Sequence, residues 1–125
     1  MLGYATVGSN RLADALAFYD ALLGEIGIPI LFDRGSGGRV YGTFGGTMFG
    51  VVEPYDGQPA TAGNGSMFGF ALDSREAVDR FHARALALGG SDEGRPGPRP
   101  PGVDRAYMAY VRDLDGNKLC AFILG

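Results

Sequence analysis

Few side chains in this sequence could do chemistry. Glu53 closes an apolar run at 48–52, just before Pro54. It is either a strand-end carboxylate in solvent or a cavity base, whose pKa would rise on desolvation. Cys120 lies in the apolar run 119–124, where a buried thiol usually behaves as a small hydrophobe. No cation adjoins it in sequence to favour a thiolate. Tyr4 suits a core or a cavity wall, its phenol needing a hydrogen-bond partner once buried. Met67 fills apolar space. His82, the one imidazole, stands beside Phe81 with no partner nearby in sequence and reads as a structural or surface histidine. Arg95, Arg99 and Arg105 lie on and beside a Pro/Gly-rich stretch. They are ordinary solvated charge or a rim that pairs with a carboxylate or phosphate on a ligand. The run Asp113-Leu114-Asp115-Gly116-Asn117 reads as a hairpin turn, since it lacks the distal Glu of a calcium loop.

These side chains are positioned by a repeat. Residues 4–27 and 67–90 superimpose at an offset of 63, matching Phe18 to Phe81, Leu23 to Leu86, Gly27 to Gly90 and Val7 to Phe70. Tyr4 and Met67 are counterparts. A strand at 2–8 leads to a helix capped by Ser9 or Asn10, with Leu12, Leu16, Tyr19, Leu22, Leu23 and Ile26 on one face. Gly27 and Pro29 end it. Strands follow at 29–33, 39–44 and 47–53. In the second half a strand at 66–72 precedes a helix with a capping box at Asp73 and Glu76. That helix runs to Leu88, with Val78, Phe81, Ala85 and Leu88 inward. A loop at 94–102 and strands at 105–112 and 118–124 complete it.

The plan is α+β: two βαβββ modules in tandem around a cupped sheet with helices outside. One strand of the second module is expected to be shortened or lost in the Pro-rich loop. Module one spans about 1–55, the linker about 56–65 and module two about 66–125, in a single domain. Each module leaves one sheet face to line something, and two such faces meeting make a small-molecule cavity.

Composition sets boundaries. A net charge of −3 gives no footprint for nucleic acid. No apolar run reaches the ~20 residues of a membrane span, and the N-terminus lacks a signal-peptide pattern. One cysteine suits a reducing cytoplasm. The 22 glycines recur through strand-like segments, which points to close backbone approach rather than disorder.

The chain resembles the vicinal oxygen chelate superfamily of glyoxalase I, bleomycin- and fosfomycin-resistance proteins and extradiol dioxygenases. The residues that carry the resemblance are Ala17-Phe18-Tyr19-Asp20 with the stop at Gly27, the 74–90 helix ending Leu88-Gly89-Gly90, and Arg112 to Asn117 feeding the last strand. The resemblance implies a glyoxalase-like fold, a homodimer and a small-molecule ligand. It also implies metal ligands on the first and last strand of each half, at positions matching Tyr4, Glu53, Met67 and Cys120. Of these only Glu53 is a good ligand for a hard or borderline divalent ion. The expectation is therefore a metal-free cavity with no cofactor. Glu53 and Cys120 are its candidate catalytic residues, and Tyr4, Met67 and Arg99 its candidate ligand-binding residues. The alternatives are a metal-dependent lyase, isomerase or dioxygenase, and a resistance protein that sequesters a drug.

Overall fold

The computed structural model of the chain describes residues 1–99 and 105–125. Module one comprises β1 (Tyr4–Gly8), α1 (Leu12–Glu25), β2 (Ile30–Asp33), β3 (Gly38–Gly42) and β4 (Met48–Val52). Module two comprises β5 (Phe68–Ala71), α2 (Arg75–Ala87), β6 (Ser91–Pro98), β7 (Ala106–Arg112) and β8 (Lys118–Leu124). Each module builds a four-stranded mixed sheet, in the orders β1-β4-β3-β2 and β5-β8-β7-β6. The first strand of each pairs in parallel with the last, and the other pairings are antiparallel.

Three local expectations need correction. α1 has Arg11 at its N-cap with no side-chain cap bond, while the Ser9 hydroxyl accepts the Arg11 N–H one step earlier. α2 is capped by Ser74, whose hydroxyl accepts from Ala77 N–H, rather than by Asp73. The strand expected to be shortened is intact: β6 is eight residues long. It lies at a sheet edge, where Pro96 and Pro98 need not donate to a second neighbour, and its register shifts around Gly94 absorb the irregularity. The rest of the expected loop, at 100–104, lies outside the described residues.

Side chains alternate across each sheet. Val7, Tyr41, Phe49 and Val51 of module one and Ala109, Val111, Leu119 and Ala121 of module two enter one core. Phe18, Tyr19, Leu22 and Leu23 of α1 and Val78, Phe81 and Ala85 of α2 fill it. A run of rings crosses between the modules: Tyr19 to Phe49 at 5.4 Å, Phe49 to Phe70 at 5.3 Å and Phe70 to Phe81 at 5.8 Å. Emptying the Phe81 site would cost about 3–5 kcal/mol. Because the inner faces share this core, the opposite faces of the two sheets do not meet within one chain.

Candidate functional site

The outer face of module one carries Tyr4, Thr6 and Gly8 from β1 beside Met48, Gly50 and Val52 from β4. Tyr4 reaches over Gly50, where a Cβ would come within 3.0 Å of its hydroxyl and 3.1 Å of Thr6 Cγ2. Glycine is what lets the ring lie there. Tyr4, Thr6, Gly8, Arg34 and Glu53 border an open cleft of about 680 Å³. Pro54, Tyr55, Asp56, Pro59, Ala60 and Thr61 form its other wall. The structure thus brings Tyr4 and Glu53 to one cleft, with Arg34 as a cation that the sequence reading did not single out. Glu53 lies just past the end of β4, where its N–H bonds Gly37 C=O at 3.0 Å.

On the outer face of module two, Tyr110 pairs with Cys120, Met108 with Phe122 and Arg112 with Lys118. Gly69 lies beside Cys120, and a Cβ there would sit 3.1 Å from Phe122. Met67 leads into β5 and borders a second cleft of about 360 Å³ with Lys118 and Arg112. Met67 is 44% exposed and its repeat counterpart Tyr4 is 45% exposed, so the two hold equivalent half-open positions. Arg99 stands on this face with its guanidinium carbon 5.9 Å from the centre of the Tyr110 ring. The Lys118 ammonium lies 5.3 Å from the same centre. Among the described residues, the cleft lined by Tyr4 and Glu53 shares no lining residue with the cleft lined by Met67.

Cys120 is fully buried, with Sγ 3.7 Å from Ala121 C=O. Burial pushes its pKa up to about 11, against a smaller opposing effect of Lys118 and Arg99. Its side chain belongs to the outer face, yet it is an inert thiol at neutral pH. His82 is buried, with Nε2 2.9 Å from Asp92 Oδ1, which ties α2 to β6. That bond, followed by the Gly94 N–H, holds the Asp92 carboxyl below its usual range.

Register also tests the fit of a divalent metal. Thr6 lies opposite Gly50 in module one, and Gly69 lies opposite Cys120 in module two. The internal symmetry therefore pairs Cys120 with Gly50, while Glu53 lies three residues farther along. The symmetric positions offer a phenol, a thioether, a protonated thiol and a glycine, a set that does not fit a hard or borderline divalent ion. Among the described residues, no group of three or more His, Cys, Asp and Glu gathers in one place.

Two sheets, each crossed by one helix and each with an open face, define the glyoxalase-like class. The chain belongs to the Glyoxalase/Bleomycin resistance protein/Dioxygenase superfamily, whose family model matches residues 1–121. It is 45% identical to a glyoxalase/bleomycin resistance protein from Albidiferax ferrireducens T118, over 100% of this chain and 99% of that one, with a TM-score of 0.88. It also shares its fold with a putative glyoxalase from Bacillus halodurans (24% identity, 98% and 95% covered, TM-score 0.78). A lactoylglutathione lyase from Agrobacterium tumefaciens shares the fold too (22% identity, 98% and 92% covered, TM-score 0.70). Among curated proteins none matches the chain. No helix among the described residues is long and apolar enough to cross a membrane.

Proposed function

We propose that this chain binds a small organic molecule without a metal ion, in a cavity completed by a second copy of itself. One observation carries the reading: each chain presents two open clefts with no lining residue in common, one at Tyr4 and Glu53 and one at Met67, Arg112 and Lys118. A cleft open to water buries too little of a ligand, and a facing cleft supplies the missing wall. The free edges of β1 and β5, unpaired among the described residues, offer backbone groups for such a junction. Charge supports a pairing of unlike faces, with Glu53 and Asp56 outnumbering Arg34 on one and Lys118 and Arg99 on the other.

In this reading Glu53 is the proton-handling group, Tyr4 a wall with a hydrogen-bonding hydroxyl, and Met67 an apolar wall. Cys120 closes the floor beneath Tyr110, and Arg99 edges the cavity. A reducing cytoplasm suits the lone buried thiol.

The test is thermal-shift screening of neutral and charged fragments, with and without added zinc, nickel, manganese and iron. Stabilisation that needs no metal and is reduced by Tyr4→Phe or Glu53→Gln is the expected result. Stabilisation only with a metal, together with turnover of a glutathione–methylglyoxal hemithioacetal or a catechol, would replace the reading with a metal-dependent lyase or dioxygenase.

A further inference from the structure

The outer face of module two carries more positive charge than its surroundings neutralise. Both carboxylates of β6 are engaged: Asp92 by His82 and the Gly94 N–H, and Glu93 by Arg112 at 2.6 Å. Arg99 and Lys118 have no carboxylate at ion-pair distance among the described residues. The Arg99 guanidinium is nonetheless held in place. Its Nη2 donates to Arg95 C=O at 2.6 Å and its Nη1 to Pro98 C=O at 3.1 Å. Those bonds use two of its five N–H donors and leave three to offer.

The backbone beneath is cut away to admit this cluster. A Cβ on Gly94 would come within 2.8 Å of Tyr110 Cδ2, and one on Gly97 within 3.0 Å of Arg99 Nη1. Tyr110 is underused as well, since among the described residues its hydroxyl donates only to the Met108 thioether, at 3.4 Å. A thioether is a weak acceptor, so that hydroxyl has more to gain from an oxyanion. Beside these polar groups lie Met108 and Phe122 on the same face. Lys118 also borders the cleft that Met67 lines.

We propose that Arg99, Lys118 and Tyr110 form a subsite for the carboxylate of an organic acid whose apolar body rests on Met108, Phe122 and Met67. Arg99 and Lys118 both lie within 6 Å of the Tyr110 ring centre, and a carboxylate that reaches either one takes charge-assisted hydrogen bonds. The ring faces the cations and so keeps them near the apolar floor. The substrate class that follows is a compact carboxylic acid, its anionic end on module two and its remaining groups towards Glu53 of the second copy. This last placement rests on the cavity reading above.

The test is a titration of the full chain with phenylacetate and with its neutral isostere phenylacetamide, followed by backbone amide NMR shifts. Phenylacetate is expected to move the Gly69, Tyr110 and Lys118 amides and to bind at least about tenfold more tightly than the amide, a difference of ~1.4 kcal/mol. Arg99→Met and Lys118→Met are each expected to weaken the acid several-fold and to leave the amide unchanged. Raising the salt should weaken the acid alone. Equal affinity for acid and amide in the same cleft overturns the subsite and leaves the cavity standing. Silence of these amides with both probes, and of those at Tyr4 and Glu53, overturns both.

Discussion

The Tyr19 hydroxyl donates to Asp113 Oδ2 at 2.5 Å, a buried bond between helix α1 of one module and the β7–β8 turn of the other. The same carboxylate accepts from the Asp115 and Asn117 N–H groups and from the Asn117 side chain. Asn117 in turn donates to Gly8 C=O, at the end of β1. The run that the sequence presents as a hairpin turn is also a polar latch between modules. Tyr19→Phe should destabilise by about 1.5–3 kcal/mol, because Asp113 keeps its burial and loses a donor. Asp113→Ala should cost more, since four donors lose their acceptor. Urea unfolding with an unchanged m-value checks both, and a Tyr19→Phe change under 0.5 kcal/mol would refute the latch.

The same bond sets a pH dependence. Burial first, and then the charge of Asp113, raises the Tyr19 pKa well above its usual value. Tyr41 moves the same way through burial and its bond to Asp20. A raised tyrosine pKa means that the folded chain keeps a proton which the unfolded chain releases near pH 10. Stability from this source is complete below pH 10 and falls as pH rises beyond it, with a limiting slope of ~1.4 kcal/mol per pH unit for each group. Unfolding free energies at pH 8 and 10.5 should show the fall, and Tyr19→Phe should reduce it.

Cys120 should resist alkylation. With its pKa pushed up to about 11 by burial and no exposed surface, the folded chain should react with iodoacetamide at pH 8 at least tenfold more slowly than the urea-unfolded chain. Comparable rates would show an accessible thiolate and reopen the case for Cys120 as a nucleophile.

Two glycines separate folding from site shape. Gly38 has φ +139° and would set a Cβ 2.1 Å from Val51 C=O, a backbone atom that cannot withdraw. Gly38→Ala should therefore cost about 3 kcal/mol or more. Gly50→Ala meets only the ends of Tyr4 and Thr6. It should change stability by less than about 1 kcal/mol while moving the Tyr4 ring, and so alter ligand affinity several-fold without unfolding the chain.

The repeat made most of the fold legible, because helix periodicity and glycine stops are local signals. The α2 cap fell on Ser74 rather than Asp73 because either short side chain can accept a first-turn N–H, and only the backbone geometry decides between neighbours. β6 was hidden because Pro96 and Pro98 read as a loop when an edge strand's one-sided pairing is not considered. At the proposed site, Tyr4, Glu53, Met67, Cys120 and Arg99 are visible as residue types. The proposed subsite adds Tyr110 and Lys118, which the sequence does not single out, although Lys118 precedes Cys120 by two on a strand and must share its face. The symmetric partner of Cys120 needed register: nothing in the sequence distinguishes Gly50 from Glu53 as its counterpart. The Tyr19–Asp113 bond spans 94 residues, and no local pattern reports a contact at that separation.

Native mass spectrometry of protein purified without chelator is the most direct measurement. The expected result is a species of twice the chain mass that takes up no stoichiometric zinc, nickel, manganese or iron when these are added. A monomer at every concentration, or one tightly held divalent ion per chain that Glu53→Ala removes, would contradict it.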